Sequence, residues 1–134
     1  MGCDIHPVIQ WLEYPAKDSH RDHWSDLSGE WNWGRSYDLF AKMAGVRCHQ
    51  DGPGHGYPCT ACPVVPPRGW PEQGPRSYNL DRSELHTPSW LTLEEFKRAA
   101  RDYPDWPEVK ATIAAMEAIE STGHKTRLVF AFDN

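Results

Sequence analysis

Residues 125–134 read KTRLVFAFDN, and the fold of the chain turns on them. Leu128, Phe130 and Phe132 alternate with Val129, Ala131 and Asp133. In an extended segment that places three large apolar side chains on one face. A strand this apolar at the end of a chain is expected to lie paired within a sheet. Residues 3–14, CDIHPVIQWLEY, also have strand composition. Pro7 cannot donate to a ladder, so this segment should sit at an edge or carry a bulge. The stretch WSDLSGEWNW, residues 24–33, is expected to return beside it as a hairpin.

Helices fill the remainder. Ser36 is placed to cap YDLFAKMAG, where Leu39, Phe40 and Met43 form an apolar side and Gly45 a stop. Thr92 and Glu95 have capping-box spacing at the head of LTLEEFKRAARDY, with Leu93, Phe96, Ala100 and Tyr103 at helical intervals. Asp105 or Trp106 opens a third helix, with Pro107 in its first turn and Val109, Ile113 and Met116 as its inner stripe. The order β-β-α-loop-α-α-β predicts one α+β domain spanning 1–134. It would be a small, mostly antiparallel sheet with helices on one face and a long Gly/Pro-rich central loop.

That loop, from Gly45 to Trp90, holds most of the prolines and glycines and shows no helix or strand period. So long an irregular segment within a compact domain needs a function or a staple. Within it, Cys48, Cys59 and Cys62 supply three soft ligands, two in a C-x-x-C knuckle, with His55 or His49 as the fourth. Tetrahedral Cys3His zinc is the expected occupant, structural because all four positions are filled, and binding it would order the loop locally. The competing reading is a set of unconnected thiols.

A net charge of -5 and a pI near 5.7 argue against coating a nucleic-acid polymer or an anionic membrane. A small anionic ligand stays open, because Arg35, Arg47, Arg68, Arg76 and Arg82 crowd the middle of the chain. No apolar run approaches the roughly 20 residues of a membrane span and no leader pattern opens the sequence, so a cytoplasmic location is expected. His6 stands where a myristoylation motif wants Ser or Thr.

Asp4 and His6 share one face of the first strand. They suit metal binding, proton transfer or a hydrogen bond that merely supports packing. A metal there would need further ligands, for which His86 and Asp133 are the candidates. Arg68 beside Trp70, and Ser89 beside Trp90, offer a guanidinium for a carboxylate or phosphate and rings for stacking. Anchoring the loop to the core is the plainer role for both tryptophans. His20, His23 and His124 are assigned no role.

GCDIH at the start, RSYDLFAKMAGVR, PPRGWP, HTPSWLTLEE and the closing RLVFAFDN, in that order, resemble a family of small bacteriophage-encoded proteins. The resemblance runs from end to end, and departs at Thr87, where the family usually has Ser. It implies a setting, the cytoplasm of an infected bacterium, more than a reaction. Asp4, His6, Arg35, Tyr37, Arg68, His86 and Ser89 fall in the shared blocks and, with Trp90, are the expected ligand-binding residues. The leading expectation is a phage accessory protein that captures a small anionic, nucleotide-like molecule, such as a host immune signal, as an anti-defence factor. The alternatives are a metal-dependent hydrolase using Asp4, His6 and His86, and a zinc-stapled protein-interaction module. Assembly into a homo-oligomer is compatible with each.

Overall fold

The computed structural model describes residues 2–17, 21–27, 29–31, 33–47, 63–78 and 80–133. The strands are β1 (Asp4–Ile5), β2 (Val8–Tyr14), β3 (His23–Asp26), β4 (His86–Thr92) and β5 (Thr126–Asp133). The helices are α1 (Tyr37–Ala44), α2 (Leu93–Ala99) and α3 (Pro107–Glu120), with a single 3-10 turn at Arg82–Glu84. Every strand pair is antiparallel, so the domain is α+β as the sequence predicts.

The apolar terminal run, β5, is the centre of the sheet. β4 pairs along one side of it, while β1 and β2 follow one another along the other side. β3 lies outside β2. β1 and β2 are one strand interrupted at His6 and Pro7, where the proline lacks a donor. His6 N–H still reaches Ala131 O at 2.9 Å, and Pro7 O accepts from Trp31 N–H at 3.2 Å.

Leu128, Phe130 and Phe132 are fully buried in one core cluster with Ile5, Ile9 and Leu91 from the neighbouring strands. Leu39, Phe40 and Met43 of α1, Leu93 and Phe96 of α2, and Val109 and Met116 of α3 close that cluster. Thr92 accepts from Glu95 N–H while Glu95 accepts from Thr92 N–H, so α2 starts on the predicted box. Gly45 ends α1 at φ 74°, a left-handed turn that glycine adopts without penalty, and its N–H caps Ala41 O.

The opposite face of β5 is buried as well: Arg127 is 5% exposed, and Val129 and Ala131 are fully covered. Residues 63–78 run along the sheet as a strap that meets this face at Arg127, through the carbonyls of Glu72 and Gln73. Val64 and Val65 pack against the helix-side core, and Val64 N–H bonds Lys42 O at 2.8 Å. Gly69 N–H then reaches Pro88 O of β4 at 2.9 Å. Further on, Gln73 O accepts from Gln10 of β2, and Arg76 and Ser77 bond the Asp26 carboxylate of β3. The strap therefore crosses from the β4 edge to the β3 edge. Its bonds to Pro88 O and to Trp90 O, through Arg68, cap an otherwise open strand.

Three expectations need correction. His86–Trp90 belongs to strand β4 rather than to irregular chain. Its alternation is disguised by Pro88 and by a bulge between His86 and Ser89, with Thr87 at φ 50°. The hairpin partner ends at Asp26, so Trp31 and Trp33 are not strand residues; Trp33 instead packs on Phe96 and Trp106. In α3 the inner stripe is Val109, Thr112 and Met116, with Ile113 only partly covered.

Candidate functional site

Two polar regions come from the expected residues and their neighbours. The first lies at the end of the sheet where β5 finishes. Asp4 pairs with Asp133 across the ladder, and its carboxylate receives Arg35 in a fork, Nε at 2.7 Å and Nη2 at 3.2 Å. That hydrogen bonding holds the Asp4 carboxyl below its usual range. Gly2 makes room for the guanidinium: a Cβ there would sit 2.0 Å from Arg35 Nη1. His6 lies between two acids, Nδ1 3.1 Å from Glu30 Oε2 and Nε2 2.8 Å from Asp133 Oδ2. Carboxylate oxygens only accept, so both contacts are hydrogen bonds when the ring is doubly protonated. Burial opposes that charge, but the bonds to Glu30 and Asp133 outweigh it and raise the His6 pKa. Tyr37 Oη accepts from Cys3 N–H at 3.3 Å, and burial pushes the Cys3 thiol up.

His86 is on the far side of β5 from this group. It stands opposite Phe132, its ring centroid 6.0 Å from that of Phe132, whereas Asp4 stands opposite Asp133. With strands spaced near 4.8 Å, the His86 and Asp4 positions are about 10 Å apart across β5. They also follow residues that alternate between its faces.

Arg68, Ser89 and Trp90 form a separate lock farther along the sheet. Ser89 Oγ accepts from Arg68 N–H at 3.0 Å. The Arg68 guanidinium grips Glu95 through two bonds of 2.7 and 2.6 Å and lies 4.1 Å over the Trp90 ring. Those bonds draw Glu95 down to about 2, although burial opposes the shift. Trp70 is used in packing too, between Arg82 at 4.6 Å and Tyr78 at 5.5 Å. Asp4, His6, Arg35 and Tyr37 thus come together, whereas Arg68, Ser89 and Trp90 gather about 13 Å along β5, the span from Asp133 to the Val129 position opposite Trp90. The predicted zinc ligands Cys48, Cys59, Cys62 and His55, like His49, lie outside the described residues. Among the described residues, no three His, Cys, Asp or Glu side chains are arranged to hold a metal ion.

The second region was not singled out by the sequence. It is a set of adjoining clefts where the strap meets the β2–β3 hairpin, all bordered by Gln73. The inner one, 470 Å3, is lined by Arg21, Asp22, Trp24, Gln73 and Arg127 among others. Arg127 Nε donates to Gln10 Oε1 at 2.9 Å, and Nη2 to the carbonyls of Glu72 at 2.9 Å and Gln73 at 3.4 Å. Its guanidinium lies 4.0 Å over Trp24 and 5.9 Å from Trp90. Burial draws its pKa down to about 10, which leaves it charged at neutral pH.

Among the described residues, the Arg127 side chain is hydrogen-bonded to and stacked on neutral groups. Asp22 and Asp26 act on it only at longer range. Asp26 is taken by Gln10, Arg76 and Ser77, and Asp22 accepts from Ala16 N–H. Gln73, at φ 58°, holds the junction in a backbone region uncommon for a side chain of its size. Its carbonyl takes Gln10 and Arg127 while its side-chain oxygen accepts Trp24 N–H at 2.7 Å. Non-glycine residues held in that region collect at functional sites. The one signal in the sequence was Arg127 itself, a charge directly before the apolar run Leu128–Phe132 of the same strand.

No helix among the described residues is long and apolar enough to cross a membrane. Compared with protein-family models, with curated proteins and with solved structures, the chain matches none.

Proposed function

We propose that this chain is a binding protein for a small anionic, nucleotide-like molecule, and that the anion is taken by Arg127 in the strap–hairpin cleft. One observation carries the reading: a buried guanidinium whose hydrogen-bond partners among the described residues include no carboxylate borders a cavity. A buried charge without a counter-charge is costly, and a bound anion would offset that cost. Trp24 in the same wall and Lys17 at the rim suit a ligand that combines negative charge with a flat ring, while Arg21 is paired with Glu72 at 2.7 Å on the same cleft. The charges at the sheet end are, by contrast, matched to one another. Capture without turnover fits the phage setting suggested by the sequence motifs, where sequestering a host signal would be enough. Zinc on Cys48, Cys59, Cys62 and His55 belongs to the proposal as a staple, and metal analysis should return about one ion per chain.

The test is calorimetric titration of inorganic phosphate and a panel of mononucleotides into wild type and Arg127→Gln, with recovery of the ligand afterwards. The expected result is binding by wild type, loss in a folded Arg127→Gln protein, and ligand recovered unchanged. Equal binding by the two proteins would refute the site. Consumption of the ligand would replace capture with catalysis and revive the hydrolase reading.

A further inference from the structure

Resting on the reading that Arg127 takes an anion, we infer that the ligand is a phosphate ester of mononucleotide size with one planar base, which enters phosphate first, its base lodging against Tyr14 and His23. The inner cleft at Arg127 does not end there. It shares Arg21, Asp22 and Gln73 with an outer cavity of 660 Å3 whose remaining wall includes Tyr14, Pro15, Lys17 and His23. Volumes of this order suit one small molecule rather than a polymer.

Tyr14 is 61% exposed, one of two large hydrophobic side chains left in water among the described residues. Nothing in the core accounts for it. The ladder between β2 and β3 slips between Leu12 and Tyr14, which sets Tyr14 opposite His23. Such a slip re-aims a side chain. The two rings meet at 5.8 Å with an interplanar angle of 45°, an open aromatic corner on the cavity. A planar base can stack there without the site reading its sequence-specific edge.

Gln73 joins the two halves. Its side-chain oxygen is occupied by Trp24 N–H, which assigns the amide and leaves the NH2 group as the donor on the shared wall. An NH2 donor midway between a guanidinium and an aromatic corner matches a sugar or phosphate oxygen. Lys17 at the mouth would draw a dianion inward against the chain's overall negative charge.

The experiment compares 5′-AMP, ribose 5-phosphate and adenosine as calorimetric titrants of the full chain at low salt, for wild type, Tyr14→Ala and His23→Ala. Tyr14 and His23 are exposed, and circular dichroism of each variant checks that it folds. The expected result is AMP binding about tenfold or more tighter than ribose 5-phosphate, the advantage of one stacked base. Tyr14→Ala and His23→Ala should each erode that advantage while leaving ribose 5-phosphate unchanged. Equal affinity for the two phosphates, or an AMP advantage that survives both substitutions, would overturn the ring subsite and leave the anion reading standing. Tighter binding of adenosine than of AMP would overturn phosphate-first entry. Failure of both phosphates to bind wild type would overturn the anion reading itself.

Discussion

On the helix side of β5, Leu128, Phe130 and Phe132 are covered by side chains that need only be apolar and of the right volume. On the strap side, Arg127 and Gln10 are covered by main-chain carbonyls that must meet them within hydrogen-bond distance. The first kind of burial is non-directional and tolerates repacking. The second fixes one arrangement and leaves a charge beside a cavity. The helix face is thus the apolar core of the protein, and the strap face carries the proposed binding site.

The largest expected effect tests the first half of that contrast. Phe130→Ala empties a fully buried ring site and should cost about 3–5 kcal/mol in urea unfolding. Arg127→Leu, on the other face, should cost less, about 2 kcal/mol, because three strap and β2 acceptors lose their donor while the buried charge is also removed. Limited proteolysis should then cut between residues 63 and 78 before it cuts the helices. A strap that stays protected in Arg127→Leu would break the link between Arg127 and strap order.

The Arg68–Glu95 lock should show itself in acid. Glu95 is depressed to about 2 in the folded chain, so its contribution is fully present above the unfolded value near 4.5 and is lost as pH falls toward 2. Glu95→Gln should flatten that limb of the stability curve by about 1–2 kcal/mol, a figure reduced for the partial exposure of both partners.

His6 runs the opposite way and should give the smallest effect. Its pKa is raised, so its contribution is complete below the ordinary histidine value near 6.5 and fades as pH rises through the folded value. His6→Gln should remove only this alkaline loss, and an imidazole titration followed by NMR should place His6 above the ordinary histidine value near 6.5.

The helix face was legible in the sequence because its signals are local. The alternation in β5, the Ser36 cap, the Gly45 stop and the Thr92–Glu95 box each lie within a few residues. The sheet-end group was partly legible, since Asp4 and Asp133 are strand residues and His6 directly follows β1. Glu30 was not, because it comes from irregular chain. The strap-side cleft was illegible for a physical reason: Gln73 meets Gln10, Trp24 and Arg127 across long separations, and no period marks a main-chain carbonyl as a partner. β4 escaped notice because its bulge at Thr87 and Pro88 breaks the alternation by which a strand is recognised.

The most direct test of the account sets the two polar regions against each other in one experiment: backbone and side-chain NMR shifts of the full chain during titration with 5′-AMP. The account predicts shifts at Trp24, Gln73 and the Arg127 side chain, extending to Tyr14 and His23, with Asp4, His6, Arg35 and Tyr37 unmoved. Shifts confined to those four residues, with the Arg127 and Trp24 signals in place, would contradict it.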